Sequence, residues 1–142
     1  MMRMSSQVEY GIRAMIDIAA HGSDLPVQAR DIHRRQNIDE HFVSQIMLML
    51  RRAGLVESLR GRQGGHRLAR PATQICLLDI VEALEGSDDS REKTTPSAVA
   101  DAVVVREAWV AAREHARAAL AATTLAQLVE RRAALVASSY SI

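Results

Sequence analysis

Apolar residues recur at helical spacing through most of the chain. After Ser5 and Ser6, either of which can cap a helix, Val8, Ile12, Met15, Ile16 and Ala19 fall on one face and predict a first helix to about Ala20. Glu9, three residues after Ser6, completes the pattern of a capping box. The run His21-Gly22-Ser23-Asp24-Leu25-Pro26 breaks that helix. A short second helix is expected from about Ala29 to Gln36, with Ile32 facing inward. Asn37-Ile38-Asp39 then forms a turn, and Asp39 caps a third helix. In that helix Phe42, Ile46, Met49 and Leu50, at i, i+4, i+7 and i+8, mark the buried face, and Gly54 is a natural residue to end it.

Beyond Gly54 the period changes. Leu55–Leu59 and His66–Leu68 read as two short strands, joined by a tip of Arg60-Gly61-Arg62-Gln63-Gly64-Gly65. Adjacent glycines permit positive φ and a close backbone approach to a phosphate. Two helices linked by a tight turn and followed by a hairpin make a winged helix-turn-helix. Leu77, Ile80, Val81 and Leu84 give a short helix that ends at Gly86. The stretch Ser87–Ser97 has no apolar residue except Pro96 and is expected to be a flexible linker. From Ala98 to Ala122 the chain is helical and alanine-rich, with Val103, Trp109 and Leu120 as larger anchors among small residues such as Ala112 and Ala116. Such a helix can pack closely against a partner helix. Thr124 caps a last helix through Leu125, Leu128, Val129 and Leu135, and the tail from Ser138 is expected to fray. The expected organisation is a DNA-binding unit over 1–86, a linker over 87–97 and a helical dimerisation region over 98–142. The expected fold class is mainly α, a winged helix-turn-helix with a two-stranded wing and a long C-terminal helix.

Charge sharpens this picture more than bulk composition does. The chain has 142 residues and a net charge of +1, yet six arginines and a single acid, Glu57, lie between Arg51 and Arg70. Nucleic-acid binding depends on where charge sits, so the local cluster outweighs the near-neutral total. Aromatics are only 3% of the chain, which leaves the core to Leu, Ile, Val, Met and Ala. A single cysteine, Cys76, excludes an internal disulfide and fits a reducing cytoplasm. No apolar run reaches the roughly eighteen residues a membrane span needs, and MMRMSSQVEYGIRAM lacks the layout of a signal peptide.

Three stretches carry a recognisable pattern: MRMSSQVEYGIRAMIDIA, LRRAGLVESLRGRQGGHRLARP and ICLLDIVEALEG, with TTLAQLVE further on. In this order they resemble the Rrf2 family of bacterial winged-helix regulators, whose members include iron–sulfur, nitric-oxide and cysteine regulators. The resemblance implies a homodimer with crossed C-terminal helices, reading a roughly palindromic stretch of double-stranded DNA. The family's base-facing residues fall on His41, Ser44 and Gln45, and its minor-groove wing arginine on Arg60 beside Gly61. Gly64 and Gly65 match the following glycines, and His66 stands where an aromatic is commoner. Arg51 and Arg52 suit phosphate contact at the end of the recognition helix, with Arg62 and Arg67 extending the basic wing. Cluster-binding members have three closely spaced cysteines between the short helix and the dimer helix. The corresponding segment, Ser87–Ser97, has none. Iron–sulfur ligation normally takes several thiolates, so the expectation is a branch without the cluster or any other cofactor. An effector, small molecule or protein, is left unidentified.

Weighed against plainer roles, Cys76 reads as a small buried hydrophobe rather than a redox sensor. His21, His33, His41, His66 and His115 show no metal-ligand spacing. Trp109 reads as a dimer or interdomain anchor, with a ligand-pocket wall as the alternative. No nucleophile–base arrangement or phosphate loop appears, so the chain is not expected to be an enzyme. Two functions remain: a DNA-binding transcriptional regulator, with repression the expected sign, and a protein-interaction module that docks a partner through the winged domain. The arginine-rich polar face favours the first.

Overall fold

The computed structural model describes residues 3–22, 24–86 and 99–140, and among them six helices and one antiparallel two-stranded sheet. The expected linker over 87–97 lies outside the described residues. Helix α1 (Ser6–His21) starts from Ser5, whose hydroxyl accepts from the Val8 amide. The capping box expected from Ser6 and Glu9 therefore does not form. Glu9 instead lies 4.0 Å from Arg13, one turn on. Helix α2 (Ala29–Gln36) ends in a left-handed Asn37, the conformation a tight helix–helix turn needs. Helix α3 (Glu40–Arg52) is capped by Asp39, whose carboxylate accepts from the Phe42 amide.

The buried face of α3 is turned from the expected one. Val43, Ile46, Met47 and Leu50 are buried, whereas Phe42 and Met49 sit half-buried at its edges. Both sets have helical spacing; packing against α1 and α2 chooses between them. Phe42 spends its ring edge-on against Tyr10 of α1, with centroids 5.7 Å apart, and Met49 Sδ receives the Gln7 amide at 3.3 Å. Edge positions suit an aromatic and a thioether, which keep a contact even when partly wet.

Strands β1 (Val56–Leu59) and β2 (Gly65–Leu68) pair with Val56 opposite Leu68 and Leu59 opposite Gly65. A short 3-10 turn over Ala72–Gln74 leads to α4 (Leu77–Glu85), which ends at Gly86 as expected. Cys76 is its N-cap and shares a reciprocal pair of capping bonds with Asp79. Burial works to raise the Asp79 pKa, but these bonds and the Arg70 guanidinium together outweigh it and hold the carboxyl below its usual range.

Helix α5 (Ala100–Ala122) has no buried residue, and α6 (Leu125–Ser139) turns back to the first core. Thr124 caps α6 in a box with Gln127. Helical backbone continues through Ser138 and Ser139, where fraying was expected; the Ser139 hydroxyl donates to the Leu135 carbonyl. Leu125 is fully buried in the same cluster as Ile75 and Ile80, with Val129 packed beside it. The Leu77 amide reaches the Thr123 carbonyl at 2.9 Å and the Leu125 amide the Ile75 carbonyl at 2.8 Å. The start of α6 is thus laced to the start of α4, and Glu82 of α4 meets Arg117 of α5 at 2.9 Å.

Asp17 is the one buried charged residue among those described. Arg35 grips it with two bonds, 3.0 and 2.7 Å long, and the Gln36 amide donates at 2.9 Å. Arg13 of α1 in turn donates to the Gln36 carbonyl. This cluster fixes α2 on α1, and so fixes where the turn delivers α3.

Candidate nucleic-acid interface

The turn that delivers α3 is held by its own side chains. Ile38 is buried, and His33 Nδ1 lies 2.6 Å from the Ile38 carbonyl, so that nitrogen carries the proton and donates. With Val43, Ile46, Met47 and Leu50 inward, the opposite face of α3 presents His41, Ser44, Gln45 and Leu48 to solvent, followed by Arg51 and Arg52. Gln45 Nε2 lies 3.2 Å from His41 Nε2, one turn apart. The three residues expected to read bases are therefore brought together on one exposed stripe. Leu48, on the same stripe, was not singled out from the sequence. A helical wheel centred on the observed core would have found it.

The wing stands beside this stripe and is anchored at its base. Val27 and His66 exchange a pair of backbone bonds, 2.8 and 2.7 Å long, so the connection between α1 and α2 adds a bridge to β2. Gln28 donates its side-chain amide to the Arg62 carbonyl at 3.2 Å. The glycines serve this anchoring. A Cβ on Gly65, at φ +145, would lie 2.6 Å from the Val27 carbonyl oxygen, and one on Gly64 would lie 2.2 Å from the Leu59 oxygen. Gly61, at φ +104 with open space around it, supplies the bend at the tip. Both glycines of the pair thus lie close against neighbouring backbone. Neither Val27 nor Gln28 carries a local sequence signal for this tether.

Arginines divide by what they touch. Arg67 lies opposite Glu57 across the strands and pairs with it at 3.0 Å. Arg60 and Arg62 at the tip, and Arg51 and Arg52 at the end of α3, are exposed with no acidic partner among the described residues. Four unpaired guanidiniums thus frame the polar stripe. His66 lies deeper: it helps to line a recess of about 270 Å³ with Ser44, Met47, Leu48 and Arg51. Its ring bonds the Ser58 hydroxyl at 3.0 Å. Burial first, and then the charge of Arg51, hold His66 below the ordinary histidine pKa. A neutral ring at this junction leaves the positive charge to the arginines.

The residues expected to dimerise all lie on α5. Trp109 is 61% and Val103 39% exposed; Ala112 is exposed, and Ala116 and Leu120 are half-buried. No group of three His, Cys, Asp or Glu among the described residues is placed to hold a metal ion. Among the described residues no helix is long and apolar enough to cross a membrane.

Comparison with known proteins gives the same outline. The Rrf2 family, described as an iron-dependent transcriptional regulator, matches residues 4–131. A Mycobacterium tuberculosis protein that bears the name HTH-type transcriptional regulator is 35% identical over 130 residues, covering 89% of this chain and 81% of its own. The structure of CymR, the global cysteine regulator of Bacillus subtilis, superposes with a TM-score of 0.78 at 30% identity, over 92% of this chain and 98% of that one. IscR of T. potens superposes at 0.77 with 34% identity, over 92% and 88%. The iron in the family's description sets a test for the donor set here. Cys76 is the sole cysteine, its sulfur accepts from the Asp79 amide, and a second copy would add only one more thiol. That set does not suit an iron–sulfur cluster.

Proposed function

The chain belongs to the Rrf2 family of DNA-binding transcriptional regulators, and on that premise we propose that it works as a homodimeric repressor on a roughly palindromic operator, without an iron–sulfur cluster. The observation that carries this reading is the pairing of a polar stripe on α3 with four unpaired arginines around it. In the complex, His41, Ser44 and Gln45 face base edges in the major groove, where a glutamine can bond an adenine through both its amide atoms. Arg60 enters the adjoining minor groove, whose narrow A·T-rich form attracts a guanidinium. Arg51, Arg52 and Arg62 meet phosphates, and Arg67 adds charge at the wing while keeping Glu57. Gly61, Gly64, Gly65 and His66 shape and seat the wing. The second copy is recruited through the 98–142 region, with Val103, Trp109, Ala112, Ala116 and Leu120 in the contact. Repression follows when the bound dimer excludes the polymerase from an overlapping promoter.

A gel-shift titration against duplex selected by the protein from a random pool tests the reading. Arg60→Ala is expected to weaken binding by about 1 kcal/mol or more, roughly fivefold or above. Unchanged affinity sinks the wing assignment. The same preparation is expected to be colourless, and a brown protein with visible absorption would contradict the cluster-free part.

A further inference from the structure

Leu48 is a large apolar side chain in the middle of the otherwise polar stripe on α3. At about 100° per residue it projects within about 20° of His41, between Ser44 and Arg52, and almost opposite the buried Leu50. It is 36% exposed, while its neighbour Met47 is only 2% exposed. A solitary exposed leucine is ordinary on a protein surface. Leu48 is set apart by its company: Ser44 before it, Arg51 after it, and the His66 side of the wing across the recess they share. A protein partner would meet the unpaired guanidiniums of Arg51 and Arg52 beside this side chain, and those of Arg60 and Arg62 on the wing, where Leu59 is the other large exposed apolar group. A nucleic acid would meet charges of the sign it needs. In the major groove the apolar group available at base-pair level is the thymine C5 methyl.

Resting on the regulator reading above, we infer that Leu48 is a specificity-determining residue that packs against the C5 methyl of a thymine in the operator. The polar trio reads hydrogen-bonding edges, and Leu48 separates thymine from cytosine at a further position by apolar contact. The contact gains from water excluded on both sides, as any buried methyl does.

Replacing thymine by uracil removes only that methyl, so it isolates the contact. Each thymine of a duplex selected from a random pool is changed singly to uracil, and wild type and Leu48→Ala are titrated on every version. Alanine suits an exposed helical site, so the variant keeps its fold. At one thymine, wild type is expected to lose about fourfold in affinity, which corresponds to ~0.8 kcal/mol at 1.4 kcal/mol per decade. Leu48→Ala is expected to bind the thymine and uracil versions equally there, and to keep the wild-type response at all other thymines. If no thymine shows a methyl effect that the substitution abolishes, the inference is overturned while the operator stands. If the protein enriches no sequence at all, the regulator reading falls and takes this inference with it.

Discussion

His66 illustrates how one residue couples the wing to the recognition helix. Its backbone is bonded to Val27 on one side, and its ring faces Ser58 and the recess beside Arg51. Because the fold holds its pKa below that of the unfolded chain, the unfolded state takes up a proton first as pH falls. Stability from this site is therefore complete above about pH 6.5 and is lost as pH falls from there towards the folded value. Urea unfolding between pH 7.5 and 5 is expected to show a drop that shrinks in His66→Gln. An identical drop in the variant would place the proton uptake elsewhere. The geometry also explains why this position was visible in the sequence only as a departure. A histidine after two glycines signals a wing, but its burial depends on Val27, which lies about forty residues earlier.

At the scale of elements, α3 separates what periodicity decides from what it leaves open. Helix limits, caps and the general amphipathic character follow from Asp39, Gly54 and the apolar spacing between them. The orientation of the face does not. Phe42, Ile46, Met49 and Leu50 satisfy helical spacing as well as Val43, Ile46, Met47 and Leu50, because the apolar band is wide enough to hold both. Only contact with α1, through Tyr10 and Gln7, assigns Phe42 and Met49 to the rim. Met47→Ala is accordingly expected to cost about 2–4 kcal/mol in denaturant unfolding, and Met49→Ala less than about half of that. The reverse order would restore the face read from spacing alone. The wing follows the same division. Its strands and tip were legible within one residue at each end, whereas its tether to Val27 and Gln28 was not, since backbone bonds between distant segments leave no composition or period behind.

On the scale of the whole molecule, two surfaces differ in chemistry. One is the arginine-framed stripe of α3 and the wing. The other is an apolar band on α5, where the exposed Val105, Trp109 and Ala112 and the half-buried Ala116 follow one another at three- and four-residue steps. A helix that leaves a tryptophan 61% exposed is poorly satisfied alone, and apolar surface of this kind marks an interaction site. Trp109→Ala is expected to shift the protein from dimer towards monomer in sedimentation equilibrium at micromolar concentration, and to flatten its binding curve on the operator. Retention of the wild-type mass would remove Trp109 from the interface. Trp109, Ala112 and Ala116 were singled out in the sequence, but Val105 was not: Val103 was taken as the anchor, and it lies about 160° round the helix from Val105. The return of α6 to the first core was hidden, because Leu125 and Val129 look like any other apolar pair on a terminal helix.

That return has a bearing on how the protein is made. A chain emerging from the ribosome at roughly 5–20 residues per second tends to fold its N-terminal parts first. Here Ile75 and Ile80 wait for Leu125, and the backbone at Ile75 and Leu77 waits for Leu125 and Thr123. The wing and its helices can form early, but their core closes only when synthesis has passed the helix that offers the apolar band. A prematurely terminated product, ending before residue 125, would have its reading head without the piece that completes it. Such fragments would be open to proteases before they could compete for an operator. Completion of the winged core therefore requires that α5 has already been made, because Thr123 and Leu125 follow it in the chain.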